Sequence, residues 1–249
     1  MKFFILGDSW GVGEWKKIGN TLPFGIKSVP NTGLDYYLKI NGHNVKNISA
    51  GSAGNFGQLR HAYWTLKENH DYDYIIWFHT ETYRDIQEII INDPAEASIY
   101  FPNFTFELDL IKSLRYVNRQ NYKYAQHIFD EFNIPFIVIG GHGPVDLVIS
   151  EFSFAMHTIS WLKELLNLSF DPPSTNLVGW PNVIKIANYY NINEKDFIIA
   201  NFEELEKSEI ALNLAENSIN FPDNGHPSRQ CFEQLANRII EMTSHARQS

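Results

Sequence analysis

The chain begins Met1-Lys2-Phe3-Phe4-Ile5-Leu6-Gly7-Asp8-Ser9-Trp10, and this stretch constrains the fold more than any other. Phe3 to Leu6 form a continuous apolar run that meets a Gly-Asp-Ser turn signal. Such a run reads as a strand covered on both faces, the kind found in parallel sheets packed between helices. In open parallel sheets the ligand sits beyond the carboxyl ends of the strands, which is where Ser9 falls. Gly7 frees the backbone for a sharp exit, and Asp8 is suited to hydrogen-bond and fix the turn.

Further apolar runs support the same architecture. Asn44 to Ser49, Tyr74 to Phe78, Ile134 to Ile139 and Asp196 to Ala200 read as four more strands. Helical spacing is expected over Leu34–Ile40, Phe56–Asn69, Phe106–Phe132, Ser150–Leu168, Val183–Asn191, Glu203–Asn217 and Ser228–Met242. The polar stretch to about Thr32 and the segment Asp93–Asn103 read as loops, and Phe170–Pro181 as an ordered loop or lid. Strands alternating with helices predict an α/β, three-layer sandwich on a five-stranded parallel sheet of flavodoxin-like type. No repeat, low-complexity tract or linker divides residues 1–249, so one domain is expected.

Composition narrows the function. A formal net charge of -9 argues against nucleic acid and against adsorption to anionic membranes. Cys231 is the single cysteine, so no internal disulfide forms. No apolar stretch reaches the length of a membrane span, and the N-terminal run is too short for a secretory signal. A soluble cytoplasmic protein is expected. The sequence leaves the oligomeric state open.

Far from Ser9, the chain reads Phe221-Pro222-Asp223-Asn224-Gly225-His226-Pro227-Ser228. A serine hydroxyl needs a base to take its proton, and the base needs an orienting acid. The Asp223–His226 spacing lets a carboxylate reach one imidazole nitrogen while the other faces Ser9. Gly-Asp-Ser near the start with Asp-x-x-His-Pro near the end resembles the SGNH (GDSL-like) hydrolases. The resemblance spans nearly the whole chain and is carried by these two short motifs. It implies the flavodoxin-like SGNH fold, a Ser9–His226–Asp223 triad, and ester hydrolysis with neither metal nor organic cofactor. A small-molecule or carbohydrate ester is the implied substrate, an O-acetylated sugar among them.

The resemblance also implies an oxyanion hole. Its first donor is the backbone N–H of Ser9. Its second falls in Ala50-Gly51-Ser52-Ala53-Gly54-Asn55, with Gly51 the closest match and Ser52 the alternative register. The family's third block, Gly-x-Asn-Asp, supplies an Asn amide. Here His79-Thr80-Glu81-Thr82 stands in its place. An ionised Glu81 only accepts hydrogen bonds, so Asn55, His79 or Arg84 is left to supply the third donor, and Glu81 is expected to pair with Arg84 or another cation. Trp10 and Trp15 are candidates to wall a pocket, or else core aromatics. His142, with Asp146 nearby in sequence, is the rival to His226 as base. A metal role for His79 is not expected, because no second ligand stands at metal-site spacing. Two other functions stay open: a non-catalytic binding protein on the same fold, and acyl transfer by the same triad.

Overall fold

The computed structural model describes residues 1–17, 26–141, 145–171, 176–222 and 226–245. Its centre is a five-stranded, wholly parallel sheet built from β1 (Lys2–Leu6), β4 (Asn44–Asn47), β5 (Tyr74–His79), β6 (Phe136–Gly140) and β7 (Ala155–Ile159). The spatial order is β4-β1-β5-β6-β7, with Ile5 opposite Asn47 and Ile76, and Ile76 opposite Ile137. Counted along the chain the five strands lie 2-1-3-4-5, the flavodoxin-like doubly wound order, whose switch point falls at the end of β1. A separate ribbon pairs β2 (Trp15–Lys17) antiparallel with β3 (Ile26–Ser28).

The pleat sends alternate residues to opposite layers. Phe3, Ile5, Ile76, Phe78, Ile137 and Ile139 face one layer. That layer is formed by α2 (Leu34–Ile40), α7 (Trp161–Leu165), α10 (Phe202–Glu216) and α11 (Arg229–His245). Phe4, Leu6, Ile75, Trp77, Phe136 and Val138 face the other, covered by α3 (Asn55–Glu68) and α6 (Leu110–Phe132). A third apolar cluster extends past the sheet. It joins the front of α6 to α5 (Pro94–Tyr100), α8 (Asn176–Tyr189) and α9 (Glu194–Ala200), with Phe106, Trp180 and Phe197 at its centre.

Five expectations are corrected here. Asp196–Ala200 is helical, not a strand, because Asn193 caps it, accepting from Lys195 N–H at 3.0 Å and Asp196 N–H at 3.3 Å. Acidic residues in its first turn suit the helix dipole. The fifth strand is instead β7, inside the segment expected to be one helix over Ser150–Leu168. Asp93–Asn103 is not all loop: Asp93 caps α5, and Pro94 sits at its start, where proline is favoured. The lid segment Phe170–Pro181 overlaps α8, which begins at Asn176 and contains Pro181; residues 172–175 lie outside the described residues. The stretch toward Thr32, read as loop, holds the β2–β3 ribbon. Among the described residues, no helix is long and apolar enough to cross a membrane.

Candidate active site

Ser9 opens α1 (Ser9–Val12), one turn of helix directly after β1. Asp8 is its cap, accepting the Trp10 N–H at 3.0 Å. Gly7 makes the turn possible. Its φ is +152°, and a Cβ there would lie 2.6 Å from Phe78 Cβ, so no other residue fits without moving β5.

His226 comes from the segment leading into α11 and reaches back to this turn. Its Nε2 lies 2.8 Å from Ser9 Oγ, and both residues are buried. With the proton on Nδ1, Ser9 Oγ–H donates to Nε2, the direction a general base requires. Asp223, expected to orient His226, and His142, the rival base, both lie outside the described residues. Asp146, the carboxylate near His142 in sequence, faces Arg115 at 3.7 Å and caps a 3-10 turn through the Val148 N–H at 3.0 Å.

The two sequence candidates for aromatic walls separate. Trp10 is a core residue, packed edge-on against Trp161 at 5.5 Å and beside Phe221. Trp15 is half-buried against the site. Its Nε1–H donates to Ser9 O at 2.9 Å, and its ring is tilted over His226 at 5.6 Å. The preceding Glu14 is buried and pairs at 3.3 Å with Arg229, at the start of α11. The ribbon bearing Trp15 is thereby tied to the segment bearing His226.

Gly51 lies in the exposed turn after β4. The Ala50 N–H donates to Gly7 O at 3.0 Å, which draws this turn alongside Ser9. The neighbouring Ser52 carries a positive φ of 65°.

Beneath the Ser9 turn lies a buried polar cluster. Asp8 Oδ2 accepts from Thr80 Oγ1 at 2.7 Å and faces Arg84 Nη1 at 3.6 Å. Arg84 Nε pairs with Glu81 Oε2 at 2.7 Å, and Thr80 Oγ1 also lies 2.8 Å from Glu81 Oε2. The pairing of Glu81 with Arg84 is the one expected from sequence. Burial pulls the Arg84 guanidinium down, but the Glu81 and Asp8 carboxylates outweigh it and hold it above the ordinary arginine value. Thr80 has one hydroxyl proton for two carboxylates, and the Arg84 guanidinium supplies one positive charge shared between them.

Asn55, a candidate third oxyanion donor, is otherwise engaged. Its Oδ1 accepts the Thr80 N–H at 2.9 Å, and its Nδ2 donates to Thr80 O at 3.1 Å and Asp85 Oδ2 at 3.2 Å. Both amide protons are committed to fastening α3 to the exit of β5. His79, another candidate, is buried at the end of β5 against Trp77 and Tyr122, on the α6 side of the sheet.

Asp85 completes the start of α3. Its Oδ1 accepts the Phe56 N–H at 2.8 Å, while Asn121 Nδ2 donates to Oδ2 at 2.9 Å. The cap residue Gly54 has no side chain, so Asp85 and Glu88 serve in its place, Glu88 taking the Gly54 N–H at 3.0 Å. A π-helical segment, Ile86–Ile91, carries Glu88 there. Burial pushes the Asp85 carboxyl up to about 7, against the Phe56 N–H and the Asn121 and Asn55 amides that pull it down. Burial raises Glu88 as well. Among the described residues, no group of three or more His, Cys, Asp or Glu side chains is arranged to hold a metal ion.

Sequence reasoning missed Thr80 as the link between Asp8 and Glu81, and it did not connect Arg84 to Asp8. The spacing of Glu81 and Arg84 on one turn was the available signal for half of this cluster; the approach of Asp8 depends on the pairing of β1 with β5.

No family model matches the chain, and no curated protein matches it. Among solved structures it is similar to a catalytic mutant of Axe2, an acetylxylan esterase from Geobacillus stearothermophilus. The identity is 12% and the TM-score 0.36, over 96% of this chain and 92% of that one. A second Axe2 mutant, described as an acetyl-xylooligosaccharide esterase, is similar at 11% identity and a TM-score of 0.35, with the same coverage.

Proposed function

We propose that the protein is a serine esterase of SGNH type, cleaving a small-molecule or carbohydrate ester through an acyl-enzyme. The observation that carries this reading is the 2.8 Å contact between His226 Nε2 and Ser9 Oγ, at the carboxyl end of β1. Ser9 Oγ attacks the ester carbonyl as His226 takes its proton. His226 then returns that proton to the leaving alkoxide, and water repeats the sequence on the acyl-enzyme. Asp223 orients His226, and the N–H groups of Ser9 and Gly51 receive the oxyanion. The reading needs no metal or organic cofactor.

A second reading, a non-catalytic binding protein on this fold, is favoured by one observation. The Asn55 amide is committed to Thr80 and Asp85, so that side chain does not replace the family's third oxyanion donor. Removing one such donor typically lowers turnover by about 10²–10³-fold. An enzyme with two donors is therefore expected to be slow but measurable.

Labelling with a fluorophosphonate, followed by peptide mapping, separates the two. The esterase reading expects label on Ser9, and hydrolysis of p-nitrophenyl acetate that Ser9→Ala abolishes while thermal unfolding stays nearly unchanged. An unlabelled Ser9, with esterase activity equal in wild type and Ser9→Ala, would favour the binding protein.

A further inference from the structure

Trp15 holds a position that the triad does not require. The Nε1 end of its indole donates to Ser9 O at 2.9 Å. Along the same edge of the ring, Cη2 and Cζ2 lie 3.5 and 3.7 Å from the point where a Cβ on Gly51 would sit. Its face is tilted 38° over the His226 ring. One rigid side chain therefore spans from the Ser9 turn to the Gly51 turn and borders the imidazole between them. The backbone that carries the indole is held by the Glu14–Arg229 pair and by the pairing of Trp15 with Ser28 across the ribbon.

Resting on the esterase reading above, we propose that Trp15 is the specificity-determining wall of the site and restricts the acyl group to acetyl size. Three of the four directions around the reacting carbon are assigned by that reading. One is Ser9 Oγ, one is the oxyanion between the Ser9 and Gly51 N–H groups, and one is the leaving group at His226 Nε2. The indole edge runs from the Ser9 carbonyl oxygen to the Gly51 turn, and its face lies against the His226 ring, so the ring closes one side of the space around the reacting carbon. The acyl chain has to leave through the space the ring bounds. A long alkyl chain would have to displace an aromatic ring held by a hydrogen bond and a packed face, whereas an acetyl methyl group clears it.

The test is the ratio of kcat/KM for p-nitrophenyl octanoate to that for p-nitrophenyl acetate. Loss of packing against His226 lowers both rates together and leaves this ratio unmoved, so the ratio isolates the wall. Trp15→Ala is expected to raise it by at least about tenfold. Trp15→Phe keeps an aromatic ring but loses the donor to Ser9 O, and is expected to keep the ratio near that of wild type. If Trp15→Ala fails to fold, Trp15→Leu reads the same ratio with more apolar volume retained. An unchanged ratio in a variant whose Ser9 still takes a fluorophosphonate would overturn the wall while leaving the triad standing. A variant that changes the preference among acetate esters of different alcohols, but not the octanoate-to-acetate ratio, would place the indole on the leaving-group side and also overturn it. A wild-type protein that takes no label at Ser9 removes the triad and the wall with it.

Discussion

Asp8 and Arg84 face each other at 3.6 Å directly under the Ser9 turn, Asp8 buried and Arg84 half-buried. Asp8 is the residue before the proposed nucleophile and caps its helical turn. Arg84 also pairs with Glu81 at 2.7 Å, so one guanidinium serves two carboxylates, and Thr80 bridges them. The position of Ser9 is therefore set by a charge cluster assembled from the ends of β1 and β5. Glu81 turns its carboxylate to Arg84.

Removing the guanidinium should be severe. Arg84→Met leaves two buried carboxylates without their counter-charge, and breaking a buried pair this way costs about 3–5 kcal/mol. Arg84→Lys should recover only part of the loss, since an ammonium group cannot reach Glu81 and Asp8 with a planar fork. Urea denaturation of the three proteins checks the order wild type, then Lys, then Met. Equal midpoints would mean that the cluster does not hold the turn.

Glu81 should act on stability and only indirectly on rate. Glu81→Gln keeps an acceptor for Thr80 and lowers the negative charge around Arg84, leaving Asp8 as its carboxylate partner. A loss of about 1–3 kcal/mol is expected, the usual range for a weakened buried hydrogen bond to a charged group. Glu81→Asn shortens the side chain and should lose more. Activity on p-nitrophenyl acetate that rises in Glu81→Asn would show instead that an amide at this position still reaches the oxyanion.

Gly7 is predicted to tolerate no side chain. In Gly7→Ala the new methyl group meets Phe78 Cβ at 2.6 Å, with the backbone in a region that L-residues avoid. Overpacking of this kind typically costs 1–3 kcal/mol, with backbone strain of similar size added (roughly). The variant should show a lowered thermal midpoint and reduced labelling of Ser9 together, because the same backbone positions both.

These outcomes depend on contacts of two kinds, and the sequence showed only one. The β1 run and its Gly-Asp-Ser exit were legible because a doubly buried strand leaves a continuous apolar signature. The meeting of Ser9 with His226 was legible through two motifs. β7 was hidden because it is an edge strand: Met156 and Thr158 point outward, His157 interrupts the apolar residues, and flanking residues suggest helical spacing. In α9, Phe197-Ile198-Ile199 resembles a buried strand, yet Ile199 is exposed and the Asn193 cap decides for helix. The Asp8–Thr80–Glu81–Arg84 cluster and the lie of Trp15 over His226 follow from tertiary approach alone. No local pattern encodes which strand ends will be neighbours.

The last prediction concerns Asp85, whose surroundings pull in opposite directions. Burial favours the neutral acid and pushes the carboxyl up to about 7, from an ordinary value of 3.8. Glu88 adds to that push, while the Phe56 N–H and two amides favour the carboxylate. A folded-state value above the unfolded one means that the folded protein binds the proton more tightly. The associated stability is then fully present below about 3.8 and is lost as pH rises through about 7. Other carboxylates titrate in the same range, so the informative quantity is the difference between wild type and Asp85→Asn, which does not titrate at this position. Wild type should lose on the order of 2–4 kcal/mol relative to Asp85→Asn between pH 4 and pH 8. Urea midpoints at intervals of one pH unit measure it. A difference moving the other way, with wild type gaining on the variant as pH rises, would show that the three donors win over burial and that Asp85 caps α3 as a carboxylate throughout.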